Sequence, residues 1–436
     1  MSVTYSRREI DRRLFALAIP ALGTLAVEPL YVAADTAIIG RVGSSELAGL
    51  AAAGAVLSLI VAGSTFLEYG TTERVARAHG AGDNARVRAL AAHALGIGMA
   101  LGILCFVVII SLARPLISLF DLSPETTAHA VRYLQVAAVG LPAIVTVIAS
   151  QGVLRGLSQY RRPLRVLFAS NILNVVLEVP MVIGFGWSVT GSALSTVIAQ
   201  YVAAALLLRS TIQALGGWSP VELQSTLLWD LMKIGRQLGL RVASMLAVFT
   251  GATALAAKSG DVVLAAHQIV NGVFLLLALS LDALAVPAHT LLAESSGADS
   301  DVTTRLMSQR VYFWSLVAGV GLAVGVAATS GLIPGLFTSD GSVQSTTSSG
   351  LLMLAAVLVP GAIAFGGDGV LIGLGDHEFL GYSAFIHTAI LSFALLSDHV
   401  RSGPGLSTVW ALLLGWMIIR AITVIWRTKY LLNRDC

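Results

Sequence analysis

The chain has 436 residues, of which 56% are hydrophobic and 12% charged, and its mean hydropathy is +0.83. Soluble proteins carry about 25% charged residues, so these values exclude a water-soluble domain and indicate a polytopic membrane protein. The net charge of +3 reflects where the basic residues lie along the chain and calls for no nucleic-acid partner.

The N-terminal stretch MSVTYSRREIDRR is charged and carries no cleavable signal pattern, so the first apolar segment is expected to remain. A spanning helix needs about 20 apolar residues. Twelve spans are expected, at 14–40, 47–72, 89–113, 128–154, 164–186, 189–212, 231–257, 262–292, 306–332, 349–372, 379–397 and 405–427. The first is long for a bilayer core of about 30 Å and contains Pro20, which removes a backbone hydrogen bond and favours a kink. With the N-terminus inside, 22 of the 27 Lys and Arg fall on inner segments. That bias places both termini in the cytoplasm, in the plasma (inner) membrane of a prokaryotic cell. Cys105 and Cys436 are too few for a disulfide framework, and neither has metal-ligand neighbours.

The chain repeats at an offset of about 217. GVLRGL at 152–157 matches GVLIGL at 369–374, and Leu47-Ala48 matches Leu264-Ala265. GAGD at 80–83 resembles SGAD at 296–299, at an offset of 216. Each copy holds six spans, an even number, so both copies enter from the same side. The expected fold is all-α, with two six-helix lobes related by an axis along the membrane normal. The lobes are expected at 1–212 and 236–436. A cytoplasmic connection at 213–235, with Gly216, Gly217 and Pro220, serves as hinge.

Acids inside spans cost roughly 2.5–3.5 kcal/mol each on insertion scales and are functional candidates by default. Here they are Glu28, Asp35, Glu68, Glu178, Asp282 and Asp368. The alternative is a buried, paired group that fixes helix packing. The repeat separates the two readings in part. At the offset, Asp35 falls on Ala252, Glu28 on Met245, Thr196 on Leu413, and Asn171, Asn174 and Glu178 fall on Thr388, Leu391 and Leu395. Asn171, Asn174 and Glu178 share one helix face. The first half therefore has a polar cluster that its twin lacks, which favours function, chiefly proton exchange at Asp35. In the second half Asn271 and Asp282 lie near one face and Asp368 sits in GGDG. With Glu68 they are candidates for a substrate cavity, and packing remains an equal reading for them. His267, His289 and His387 read as satisfied polar residues.

In this order the motifs resemble the multidrug and toxic compound extrusion (MATE) family, most closely its DinF-like branch. The resemblance rests on Ile19-Pro20, Glu28-Pro29, Asp35-Thr36-Ala37 and Leu47-Ala48-Gly49-Leu50. It continues through Gly70-Thr71-Thr72, Gly80-Ala81-Gly82-Asp83, Leu154-Arg155-Gly156-Leu157, Ala265-Ala266-His267-Gln268, Leu281-Asp282 and Asp368-Gly369-Val370-Leu371-Ile372-Gly373. It implies a cation-coupled exporter of cationic or amphipathic small molecules, working by alternating access and using no cofactor beyond the coupling ion. It also implies Asp35 as the main protonation site, Pro20 as the bending point, and a network of Asn174, Glu178 and Thr196. The family often has aspartate where this chain has Glu178, which leaves proton and sodium both open. The protein is expected to act as a monomer with the lipid bilayer and a small-molecule substrate as its partners.

Other readings fare worse. GLGD at 373–376 and Pro20-Ala21-Leu22 suggest an intramembrane aspartyl protease, but no Tyr-Asp pair occurs and the motif order is reversed, so no enzyme is expected. The P-loop pattern is absent. A flippase for lipid-linked saccharides would want a cationic cavity, and Arg241 is the nearest basic candidate within a span.

Overall fold

The computed structural model describes residues 5–217, 225–395 and 405–434. Pro220 of the expected hinge, the end of the span expected at 379–397, Arg401 and Cys436 lie outside the described residues.

The described residues are almost wholly helical, with no strand among them. The first half contains α1 (Arg7–Ile39), α2 (Ser44–Gly80), α3 (Asn84–Ser118), α4 (Pro124–Ala138), α5 (Leu141–Gly156), α6 (Arg161–Val179) and α7 (Ser188–Ala214). A π-helical turn, Pro180–Gly184, follows α6. The second half contains α8 (Ser225–Lys258), α9 (Asp261–Gly297), α10 (Asp301–Thr329), the short α11 (Ile333–Phe337), α12 (Gly341–Gly373), α13 (His377–Leu395) and α14 (Leu406–Arg434). Among the described residues ten helices are long and apolar enough to cross a membrane, and α4 with α5 make an eleventh span if the bent pair is counted as one. The 19-residue α13 occupies the place of the span expected at 379–397.

The helices outrun the expected spans at their ends. α2, for example, continues from the apolar stretch through Arg74 and Arg77 to Gly80, because backbone hydrogen bonding carries a helix beyond the hydrocarbon layer that hydropathy detects. The span expected at 128–154 is two helices meeting at 52°. The break falls at Val139 and Gly140, where a Cβ on Gly140 would run into Gln200.

The repeat is visible in the helix bounds. α9 begins and ends 217 residues after α2, and α10 begins 217 residues after α3. Left-handed residues recur at the same interval. Gly82 (φ 72°) corresponds to Asp299 (φ 49°), and Ser158 (φ 59°) to Gly375 (φ 83°). The loop match read at an offset of 216 is therefore one residue out of structural register.

The glycines of the repeated motif have a packing reason. A Cβ on Gly152 would lie 2.9 Å from the Glu68 carbonyl oxygen, and one on Gly369 would lie 2.6 Å from that of Ala285. Gly156 meets Val75 and Gly373 meets Leu292 in the same way. Small residues four apart let two membrane helices approach at backbone distance, here α5 on α2 and α12 on α9. These central helices are buried almost all round over Leu141–Gly156 and 361–373.

The chain divides into two compact units, residues 23–235 and residues 1–22 with 236–436. Residues 1–22, expected in the first lobe, fall with the second half. Their side chains explain this. Ile10, Leu14 and Ala18 recur at one face and pack with Leu284, Ala288, Leu291 and Met307. Asp11 accepts two bonds from Arg310, at 2.7 and 2.6 Å, and one from Trp314 Nε1 at 2.8 Å. Arg13 pairs with Glu294 at 2.9 Å. α1 is helical without interruption through Pro20, and Gly23, where a Cβ would press on Leu164, begins its share of the other unit.

Candidate functional site

In the unit spanning residues 23–235, three helices place polar side chains on one another inside an apolar protein. Asp35, on α1, is 5% exposed, and Glu178, on α6, is fully buried. Ser192 on α7 donates its hydroxyl hydrogen to Asp35 Oδ1. Glu178 lies against both Asp35 and Ser192, and among the described residues no donor reaches either of its carboxyl oxygens. Two carboxyl groups thus meet across α1 and α6 with one hydroxyl between them.

The local structure explains the approach. After Glu178, α6 opens into the π-helical turn Pro180–Gly184, closed by the Phe185 N–H on the Pro180 carbonyl at 2.8 Å. Such turns recur at functional sites because they redirect side chains without ending the helix. α7 presses on this turn at Gly191, where a Cβ would be 3.0 Å from the Met181 backbone. Ser192 follows directly.

A second layer surrounds the pair. Asn174 donates to Thr196 Oγ1 at 3.1 Å and to Ser195 Oγ at 3.3 Å. The hydroxyls of Thr196 and Tyr31 are 2.8 Å apart, and Tyr31 also meets the Tyr133 hydroxyl. Asn171 donates to the Val27 carbonyl of α1 at 3.3 Å, tying the two helices together. Of the residues proposed from sequence for coupling, Asp35, Glu178, Asn174 and Thr196 form this network and Asn171 braces it. Glu28 is exposed and makes no ion pair among the described residues.

Ser192, Ser195, Tyr31 and Tyr133 escaped the sequence reading. Ser192 is one turn before Thr196, and Tyr31 is one turn before Asp35, so i, i+4 spacing from the two named residues points to both. Ser195 and Tyr133 carry no comparable signal.

The same places in the other unit are apolar core. Ala252, Leu391, Val409 and Leu413 stand 217 residues after Asp35, Asn174, Ser192 and Thr196, and all four belong to one hydrophobic cluster. The fold packs these positions with hydrocarbon in one copy and with a hydrogen-bonded acid cluster in the other.

The remaining candidates are placed differently. Glu68 is buried and ion-paired with Arg155, which also donates to Gln151 at 3.2 Å. Asp368 is 4% exposed. Its Oδ2 accepts from Arg241 Nη2 at 2.5 Å and from Arg420 Nη2 at 2.6 Å, and the Arg420 guanidinium lies 4.8 Å over the Trp416 ring. This knot joins α8, α12 and α14. Asp282 is half-buried near enough for both guanidinium charges to act on it. Asn271 is half-buried, with no partner for its carbonyl oxygen among the described residues. His267 meets Thr253 at 3.2 Å, and His387 meets Thr423 at 3.1 Å. Among the described residues no three His, Cys, Asp or Glu side chains gather as a metal site requires.

Comparison with known proteins supplies the context. The family model described as MatE matches residues 20–180 and 238–396. The chain is 30% identical to Protein DETOXIFICATION 44, chloroplastic, of Arabidopsis thaliana, over 96% of this chain and 82% of that protein. It is 28% identical to DNA damage-inducible protein F of Escherichia coli, over 96% of this chain and 93% of that protein. Among solved structures, a MATE protein in the bent conformation superposes with a TM-score of 0.91 at 19% identity, covering 99% of this chain and 98% of that one. A transporter of the MOP superfamily from Pyrococcus furiosus, described as having a binding pocket of reverse polarity, superposes with a TM-score of 0.88 at 19% identity, covering 97% of this chain and 96% of that one.

Proposed function

The chain belongs to the MatE family of multidrug efflux transporters, and from that premise we propose that it is a proton-coupled antiporter whose coupling proton resides in the Asp35–Glu178 contact. The observation that carries this reading is the buried pair itself, present in one repeat, whereas in the other Asp35 gives way to the buried Ala252 and Glu178 to a leucine. Two carboxyl groups can hydrogen-bond only when one of them is protonated. With a proton between them the contact is attractive, and Ser192 satisfies the remaining Asp35 oxygen. When the proton leaves, two like charges face each other in a medium of low polarity and repel. α1 then parts from α6 and α7, bending at Pro20, and the unit changes shape. A proton drives such a change because it binds the two shapes with different affinity.

The exported substrate is a cationic or amphipathic small molecule, exchanged by alternating access. Asp368 is a poor anchor for a cation, since Arg241 and Arg420 already hold it. Outside the Asp35–Glu178 pair, Glu28 and Asp282 are the intramembrane acids without an ion pair among the described residues, and they are the better candidates for meeting positive charge. The chain works as a monomer in a plasma membrane with both termini cytoplasmic, as the bias of 22 among 27 basic residues suggests.

Substrate-induced proton release tests the reading. The purified protein in weakly buffered detergent is mixed with a cationic dye such as ethidium, and the released protons are counted with a pH indicator. Release by the wild type, and none by Asp35→Asn or Glu178→Gln, is expected. Equal release by all three would overturn the assignment.

A further inference from the structure

Away from the acid pair, the unit containing residues 236–436 has a cleft of about 440 Å³ between α10, α12 and α14. Its two ends differ in chemistry. Along the helix axes Arg305, Gln309 and Lys429 line one end, here called the mouth, and Phe313, Leu316 and Ile425 line the stretch beyond it. Arg305 donates to the Leu432 carbonyl near the end of α14 at 2.6 Å, which fixes the guanidinium at the mouth. Lys429 is exposed and has no ion pair among the described residues. Phe313 is 47% and Leu316 40% exposed, so the slot opens to the outside of the unit. Arg305 and Leu316 are eleven residues apart on α10, roughly 16 Å along the helix axis.

A basic mouth leading into an open apolar slot between membrane helices suits one class of ligand, a lipid with an anionic headgroup. We propose that this cleft binds an anionic phospholipid, with its phosphate at Lys429 and Arg305 and an acyl chain along Phe313, Leu316 and Ile425. The lipid belongs to the leaflet on the side of the N-terminus, because Asp11 near the start of α1 binds Arg310 one turn along from Arg305.

The repeat keeps one cation of the mouth, since Arg305 falls on Arg88, and argues that the rest is not a requirement of the fold. At the 217-residue offset Gln309 falls on Ala92, Phe313 on Gly96 and Lys429 on Ile212. The twin half folds to corresponding helices, with the bent pair α4 and α5 in the place of α12, without the unpaired cation and without the aromatic side chain.

The experiment uses the full chain in detergent. Lipids are titrated while native mass spectrometry reads bound lipid and thermal melting reads stabilisation. The arms are phosphatidylglycerol, phosphatidylcholine with the same acyl chains, and glycerol phosphate without chains. Phosphatidylglycerol should bind more tightly than phosphatidylcholine, and glycerol phosphate should not bind measurably. Lys429→Glu replaces an attraction with a repulsion and should weaken phosphatidylglycerol binding by at least about fivefold, the effect of one cation near a headgroup. It should leave phosphatidylcholine unchanged. Leu316→Trp should weaken both lipids by filling the slot. If Lys429→Glu melts lower without lipid, Gln309→Glu places the same charge at the mouth from α10. Equal binding of the two lipids would overturn the proposal. So would a phosphatidylglycerol preference that survives both charge variants.

Discussion

Asp35→Asn changes the chemistry of the buried contact while keeping its size. In the wild type, loss of the proton leaves two carboxylates facing each other. At a separation of about 4 Å and an effective dielectric constant of about 20, their repulsion is about 4 kcal/mol. That is close to three decades in an equilibrium constant, enough to move α1 from one stable position to another. The substitution abolishes the switch. The new amide donates to Glu178 with no proton required, so the contact remains attractive at every pH. Proton-driven efflux from proteoliposomes should therefore fall by at least about a hundredfold, while the melting temperature stays at or above the wild-type value. A variant that folds normally and retains efflux within about a factor of three would show that the pair does not couple transport.

Three further substitutions test the surrounding structure. Arg420→Met leaves buried Asp368 with one of its two guanidinium partners and should destabilise the protein by about 3–5 kcal/mol, read as a fall in melting temperature in detergent. Adding Asp368→Asn should recover part of the loss, and a single variant as stable as wild type would deny the knot its structural weight. Gly369→Ala drives a Cβ to 2.6 Å from the Ala285 carbonyl and should cost about 1–3 kcal/mol by the same assay; no change would mean that α12 and α9 can separate freely. Asp11→Asn removes the charge that holds Arg310 and Trp314, a loss of about 1.5–3 kcal/mol. Amide exchange over residues 7–18 should quicken, and unchanged protection would show that the apolar face of Ile10, Leu14 and Ala18 suffices alone.

Much of this architecture is legible in the sequence because a membrane imposes simple demands. Long apolar stretches must be helices, and GVLRGL with GVLIGL announces two copies before any helix is seen. What hydropathy cannot register is where a helix bends or continues. The break at Val139 and Gly140 lies within an unbroken apolar stretch, and the first turns of α1 look like a charged tail until Asp11 and Arg13 find Arg310 and Glu294.

The acid site is legible for a different reason. A carboxyl group in a span is costly, so Asp35 and Glu178 draw attention, and the apolar twin positions sharpen it. Serine and tyrosine carry no such cost, since a hydroxyl can bond to its own helix. Ser192, which donates to Asp35, therefore looks like any other serine in α7. Arg420 reads as part of a basic inner segment, because its partner Asp368 is 52 residues away along the chain.

The central claim is that protons move through the Asp35–Glu178 contact in exchange for substrate. The most direct measurement is efflux of a cationic dye from proteoliposomes at a fixed membrane potential, with proton and sodium gradients imposed separately on wild type, Asp35→Asn and Glu178→Gln. The account predicts that a proton gradient alone drives efflux by the wild type and that neither variant responds to it. Efflux driven by a sodium gradient at equal pH on both sides, and undiminished in both variants, would contradict it.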